Sequence, residues 1–527
     1  MMTISMTRTT TTTTRSSGLL APALVLLLAA LALLPALGET RETASHEGLY
    51  GVLAQEVAAG RGFFAPRLGG RAYAEKPPAF FWAAALAGKA RGQVDLVAAR
   101  LPSALALAAS ALLVLALGRR LGGERQGLVA AVALLAMPLA VHAGRVARLD
   151  ASLTALILLA AFLAVAGRDS ARARSQGLSG LAGLALGLAV LVKGPIAIGV
   201  FVLFGLAIPG TLRRWPALLA GLAIPLTLYV LGVLREAPGQ LSLLLGQHDL
   251  TSGADEHDRA FSYYLAILPA GLGAMLPFAL LAGVDAVKTA RERGLRVALA
   301  RDPGLAVAAG TFVLLSAIPG KRAHYLVPVY PFVALSVGAL CARAPLKLWG
   351  RAAPFAIALV GLGVTGYVGL AGGAWSAILL VASVALLVAG VAARRWTDEK
   401  RLVLALAASV CATGLGIAAY QDRGVELLFP ENGAVKLGAV LRGFPEDVPL
   451  ALADADPEAI FFADRPFDDV RGPHASEEMV AWGTRHAGGI LLLEAARLAD
   501  LPASWGILEI ARGSVRKHDL VLVRRLR

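Results

Sequence analysis

The chain has 527 residues, 57% of them hydrophobic and 16% charged, with a mean hydropathy of +0.67. Soluble globular proteins carry less apolar and more charged sequence, so a wholly water-soluble protein is excluded and a polytopic α-helical membrane protein is expected. The net charge of +14 lies in short basic clusters between apolar runs rather than on one face or tail, which argues for membrane topology and against nucleic acid as a partner. Cys341 and Cys411 both fall in apolar runs, leaving no disulfide framework or cysteine metal cluster.

Residues 1–17 form a Thr-rich, low-complexity leader with Arg8 and Arg15, for which disorder is expected. The first apolar run, 18–38, is longer than the roughly 7–15 residues of a signal-peptide core and reads as a retained helix, although Ala36-Leu37-Gly38 faintly resembles a cleavage site. A long polar loop follows over 39–94, with a short amphipathic helix around 49–59. Inside this loop lies Ala74-Glu75-Lys76-Pro77-Pro78-Ala79-Phe80-Phe81-Trp82. The Pro-Pro step forbids helix across the acid and the lysine, and the apolar run behind it starts one. Glu75 and Lys76 are thereby held where water-facing chain meets apolar chain.

Further spans are expected at 95–118, 126–143, 151–167, 177–193, 194–209, 215–234, 263–285, 304–319, 323–342, 352–371, 374–393 and 402–419. With the first this gives about 13 helices, each near the roughly 20 residues a bilayer requires. If the N-terminus is cytoplasmic, every short basic loop falls inside: Arg119/Arg120/Arg125, Arg168/Arg172/Arg174, Arg213/Arg214, Lys288 to Arg301, Arg343/Lys347/Arg351 and Arg394 to Arg401. The loops 39–94, 144–150 and 235–262, the turn around Lys321 and the C-terminal segment then face outside. That segment, 420–527, changes character. β-prone runs at 450–452, 459–462, 490–493, 506–510 and 520–523 alternate with helical stretches near 434–442 and 475–486, as in a small soluble α/β domain without a recognisable chemical motif.

Some cations break the inside pattern. Lys76, Arg145, Arg148, Lys193, Arg259, Lys321 and Arg322 gather on the outer side, mostly at helix ends beside Pro, Gly or an aromatic residue. Singly, such residues snorkel to headgroups. Together they suggest an anion held at lipid depth, and a lipid phosphate fits.

Five separated motifs then occur in order: Tyr73-Ala74-Glu75-Lys76-Pro77-Pro78 with Phe80-Phe81-Trp82; Ala99-Arg100-Leu101-Pro102; Arg148-Leu149-Asp150; Val192-Lys193-Gly194-Pro195; and Lys321-Arg322-Ala323-His324-Tyr325 with Pro328, Tyr330 and Pro331. In these the chain resembles, over roughly residues 20–400, the bacterial integral-membrane glycosyltransferases of the aminoarabinose transferase and protein O-mannosyltransferase type. The resemblance implies a GT-C fold: a helical bundle whose outer loops build a cavity for a polyprenyl-phosphate-linked sugar donor, often with a C-terminal α/β domain on the same side. It implies an acceptor such as lipid A, another envelope glycan or a protein, at the outer face of a bacterial inner membrane. Similar enzymes carry an Asp-Glu pair in the first outer loop and an aspartate in the second. Here the second is Asp150, whereas the pair falls on His46-Glu47, with a histidine in the aspartate's place.

Acceptor activation accordingly falls to Glu47 or to His46, which can act as a base near neutral pH, with Glu39 and Glu42 upstream as further carboxylates. Glu75 and Asp150 are expected to orient the acceptor or a cation. Lys76, Arg148, Lys193, Lys321, Arg322 and Tyr325 are expected on the phosphate. The resemblance also allows a divalent cation held by Glu75 and His257, just ahead of Tyr263-Tyr264, although no compact ligand spacing supports it. No other cofactor is called for. Two alternatives stand beside the enzyme: a noncatalytic protein that only binds the polyprenyl lipid, and a lipid or solute transporter. A transporter predicts internal repeats and charges at helix centres, and the ionisable residues crowd instead at the outer ends.

Overall fold

The computed structural model describes residues 17–38, 46–73, 75–240, 259–318, 320–343, 398–419, 433–470, 474–515 and 518–526. The expected spans at 352–371 and 374–393, most of the leader, and Glu39, Glu42 and His257 lie outside these residues. The chain is a multi-pass membrane protein. Its first half runs α1 (Ser17–Leu33), α2 (Glu47–Ala58), a hairpin of β1 (Arg67–Leu68) and β2 (Arg71–Ala72), α3 (Ala79–Arg91), α4 (Leu96–Gly122), α5 (Glu124–Leu135), α6 (Pro138–Arg145), α7 (Leu149–Arg168), α8 (Arg172–Lys193), α9 (Ile196–Ala207) and α10 (Trp215–Glu236).

Among the described residues six helices are long and apolar enough to cross a membrane, or eight if each of two bent pairs is one span; the about 13 expected were counted over the whole chain, including the two spans outside these residues. Proline explains both bends. The run expected as one span over 126–143 breaks at Met137, where Pro138 takes the first position of a new helix and α6 turns 66° from α5. Pro303, behind an Asp302 side chain that accepts from Leu305 N, starts the Pro303–Ala317 helix at 105° to Leu295–Arg301. The expected 323–342 span begins as a 3-10 turn, Ala323–Val329, and becomes α-helical over Tyr330–Arg343. Two other expected spans form apolar helices shorter than a bilayer, Ser17–Leu33 and Ile196–Ala207, and the expected 402–419 span lies within the 22-residue helix Asp398–Ala419.

Helix α8 packs on α10 at backbone distance. Gly183 and Gly187 of α8 lie one turn apart on one face; a methyl group at Gly183 would overlap Leu218 O, and one at Gly187 would overlap the Pro225 ring. Gly221 of α10 meets Gly180 O in the same way. This small-residue seam fixes α8, whose last residue is Lys193.

The outer layer differs from its sequence reading in one respect. Helix α2 is not a surface amphipathic helix, because ten of its twelve residues are buried. It is covered on one side by α3 and α4 and on the other by the Glu458–Ala463 helix of the C-terminal domain.

That domain has a five-stranded sheet in the order β4-β3-β5-β7-β6, formed by β3 (Leu450–Ala453), β4 (Asp468–Val470), β5 (Ile490–Glu494), β6 (Ile507–Val515) and β7 (His518–Arg525). Strands β4, β3 and β5 run parallel; β7 and β6 complete the sheet antiparallel. The apolar strands β3 and β5 are buried on both faces, as central parallel strands must be. The run 459–462, expected as strand, is helical: Pro457 precedes it, and a short run buried all round carries no period to tell the two apart.

Candidate active site

Five segments meet at one end of the bundle. His46 closes the N-terminus of α2 in a left-handed conformation (φ 75°), which turns the chain sharply into the helix. Glu47 next to it is fully buried and points the other way. Its oxygens accept from Arg100 Nε (2.9 Å), Arg100 Nη2 (2.8 Å) and Ala147 N (2.5 Å), while Arg100 Nη1 donates to Leu37 O at 2.9 Å. One fork thus ties α1, α2, α4 and the segment before Arg148 together. Arg145, counted in the sequence among the outer cations, is fully buried and donates to Ala32 O (2.9 Å) and Pro35 O at the end of α1, a cation neutralising helix carbonyls.

The segment held by this fork presents Arg148 and Asp150. Arg148 Nη1 lies 2.9 Å from His324 Nδ1, and Ser103 Oγ donates to Arg148 O at 2.8 Å. Asp150, 2% exposed, sits in the first turn of α7, where helix amides favour a carboxylate. It is ion-paired with Lys193 at the end of α8 and stands 4.0 Å from His324 Nε2. Lys193 Nζ also lies 4.0 Å above the Tyr325 ring. From the 3-10 segment Arg322 Nη1 reaches His46 Nε2 at 3.5 Å.

The Glu75–Lys76 pair enters from the loop side. Tyr73 OH donates to Glu75 Oε2 at 3.3 Å, and Lys76 Nζ donates to the Glu75 carbonyl at 2.9 Å. Burial pulls the Lys76 ammonium below the ordinary lysine range; Tyr325 and Glu75 oppose this and Lys193 and Arg322 reinforce it, so these groups share one field. Burial likewise pushes the Tyr50 phenol up, keeping it a neutral hydroxyl beside Arg148, Asp150, Tyr325 and Arg322.

The structure therefore gathers His46, Glu75, Lys76, Arg148, Asp150, Lys193, Arg322 and Tyr325. It sets two expected residues apart. Glu47 is turned to Arg100, and Lys321, 4% exposed, donates to Arg259 O at 2.8 Å. Tyr50 and His324 were missed as site residues. Tyr50 stands one helical turn from His46, and His324 lies inside the Lys321–Tyr325 motif, so both signals were present. Of the suggested cation ligands only Glu75 is described, and among the described residues no group of three or more His, Cys, Asp or Glu gathers.

The four cations Lys76, Arg148, Lys193 and Arg322 face two carboxylates, Glu75 and Asp150. The excess is positive and partly buried, as an anion site requires.

Residues 75–233 match the family described as dolichyl-phosphate-mannose-protein mannosyltransferase. Two curated relatives, undecaprenyl phosphate-alpha-4-amino-4-deoxy-L-arabinose arabinosyl transferases of Edwardsiella ictaluri and Pseudomonas fluorescens, are each 30% identical over 310 and 315 residues, 55% of this chain. The matches cover 54% and 52% of those proteins, so the chain spans about half the length of the curated relatives it matches. The crystal structure of ArnT from Cupriavidus metallidurans bound to undecaprenyl phosphate superposes with a TM-score of 0.77 at 18% identity, covering 97% of this chain and 98% of that one. The motifs and the fold agree: the chain has the GT-C fold, residues 75–233 are similar to the protein mannosyltransferase family, and about half the chain is similar to the aminoarabinose transferases.

Proposed function

We propose that the protein transfers a sugar from a polyprenyl-phosphate carrier to an envelope acceptor, with lipid A the first candidate, at the outer face of a bacterial inner membrane, the N-terminus lying in the cytoplasm. The observation that carries this reading is the excess of four cations over two carboxylates at the mouth of the bundle. A glycosyl phosphodiester bears one negative charge. When its C1–O bond breaks, the leaving phosphate monoester gains nearly a second. Cations fixed in advance stabilise that developing charge more than the starting one, which is the condition for catalysis rather than mere binding.

In the proposed step the acceptor hydroxyl oxygen attacks C1 of the sugar, the C1–O bond to the phosphate breaks, the bond's electron pair stays with the phosphate, and the hydroxyl proton passes to a base. The carboxylate of Glu47 is already occupied by Arg100 and an amide, so the base role falls to His46, held by its left-handed turn against Arg322. Lys76, Arg148 and Arg322 take the phosphate. Asp150 holds Lys193 beside Tyr325, and Glu75, steadied by Tyr73, orients the acceptor. Lys321 anchors the Arg259 backbone and so supports Arg322 indirectly.

The experiment offers purified full-length protein a polyprenyl-phosphate aminoarabinose or hexose together with lipid A. Acceptor-dependent release of polyprenyl phosphate is expected. Tight carrier binding with no release under any acceptor would instead support the noncatalytic lipid binder, a reading favoured by the histidine at position 46.

A further inference from the structure

The C-terminal domain touches the two segments that bear the candidate chemistry, and it does so at backbone distance. On α2, a methyl group at Gly48 would lie 2.5 Å from Glu458 Cα, and one at Gly51 would overlap the Phe461 ring. Gln55, one turn further on, donates from Nε2 to Phe461 O at 3.1 Å. Gly48, Gly51 and Gln55 thus form one edge of α2 that faces the Glu458–Ala463 helix. At the other segment, the turn of the β1–β2 hairpin presses on β4. Asp469 N donates to Gly69 O at 3.1 Å, and a Cβ at Gly69 would stand 2.5 Å from Asp469 N and 2.8 Å from Phe467 Cε2. Arg71 then pairs with Glu478 on the Ala475–Arg485 helix.

These contacts sit just upstream of the site. The α2 edge begins two residues after His46, and the hairpin leads through Tyr73 into Glu75 and Lys76. The Glu47–Arg100 fork fixes the first turn of α2 and α3 covers one side of it, while the opposite edge rests on the C-terminal domain. The hairpin strands are two residues each and pair only with one another, too little for independent stability.

We propose that the C-terminal domain is a positioning element of the transfer reaction: through Gly48, Gly51 and Gln55 it sets His46, and through Gly69 it sets the Glu75–Lys76 loop. Gly51 and Gly69 are positioning residues, not catalytic ones. This inference rests on the transfer reading for its His46 arm. The Lys76 arm stands on carrier binding alone and is tested without turnover.

Gly69 has φ 52° and Gly70 φ 81°, so alanine strains the turn at either position, yet nothing lies within 4 Å of a Cβ at Gly70. Gly70→Ala therefore carries the strain without the collision. Binding of undecaprenyl phosphate to the purified full chain in detergent is expected to weaken about ten-fold or more in Gly69→Ala and to stay within about two-fold in Gly70→Ala. Amide exchange over residues 69–76 is expected to quicken in Gly69→Ala only. On the other arm, Gly51→Val is expected to lower kcat with the donor KM little changed, and Phe461→Ala in the same chain is expected to restore much of kcat by making room for the added side chain.

Equal carrier affinity in Gly69→Ala and Gly70→Ala would overturn the hairpin arm. A folded Gly51→Val protein with parental kcat, or a Gly51→Val loss that Phe461→Ala deepens, would overturn the α2 arm. If the parent binds carrier and transfers nothing, the transfer reading and the α2 arm fall together, while the hairpin arm is still decided by binding.

Discussion

Arg100 is the most informative residue to remove. It is 1% exposed, sends two donors to the fully buried Glu47 and a third to Leu37 O, and thereby joins four segments of the bundle. Arg100→Leu leaves Glu47 as a buried carboxylate with Ala147 N as the remaining partner named above. Stranding one member of a buried pair costs about 3–5 kcal/mol. Leu37 O loses its Arg100 donor in the single variant too, so replacing both, as Arg100→Leu with Glu47→Leu, removes the stranded charge and adds only the loss of the Ala147 N partner, at about 1–3 kcal/mol. The double variant should therefore be no less stable than the single one, against the sum expected of independent losses. The assay is reversible unfolding in mixed micelles across the four proteins of the cycle, with carrier binding measured alongside, because Arg148 and Asp150 follow the same segment. An Arg100→Leu protein within about 0.5 kcal/mol of the parent would refute the assignment of the fork as the bundle's tie.

Lys76→Ala should weaken undecaprenyl-phosphate binding by about 10- to 100-fold, the worth of roughly 1.5–3 kcal/mol for a hydrogen bond to a charged group; unaltered affinity would remove Lys76 from the phosphate. Because burial lowers the Lys76 ammonium below its ordinary range, its charge is complete below that lowered value and lost as pH rises through it. Carrier affinity should then fall on the alkaline side before an ordinary lysine would titrate, and Lys76→Arg should abolish that early fall, as titration calorimetry across pH can follow. If His46 is the base, kcat should drop on the acid side as the imidazole takes up its proton, and His46→Asp should carry activity to lower pH; identical profiles would dismiss it. Gly183→Ala places a methyl group on Leu218 O, a backbone atom, so α8 and α10 must part at about 1–3 kcal/mol, read as earlier unfolding in micelles.

The membrane class and the order of the outer motifs were legible in the sequence because apolar length and charge placement are local properties. Broken spans were less so. Pro138 and Pro303 are visible, yet whether a proline kinks a helix or starts a new one depends on what packs beside it. Of the cations read as one outer group, Lys76, Arg148, Lys193 and Arg322 lie together in the structure, while Arg145 and Lys321 donate to backbone carbonyls elsewhere. Their sorting was not legible. Arg100 and Glu47 are 53 positions apart and Arg148 and His324 are 176 apart, so only the folded chain decides which cation neutralises a buried acid and which joins the cationic cluster. The same holds for α2: in the sequence it reads as a short amphipathic helix in a polar loop, whereas the structure uses Gly48 and Gly51 to admit a neighbouring helix.

The central claim is that this cationic mouth serves the breaking of a sugar–phosphate bond. It is tested most directly by polyprenyl-phosphate aminoarabinose labelled in the lipid, incubated with the purified protein and lipid A. Free polyprenyl phosphate appearing in step with glycosylated acceptor, and suppressed in Lys76→Ala, is the predicted result. Carrier that binds at the Lys76 site and is recovered intact with every acceptor offered would contradict it.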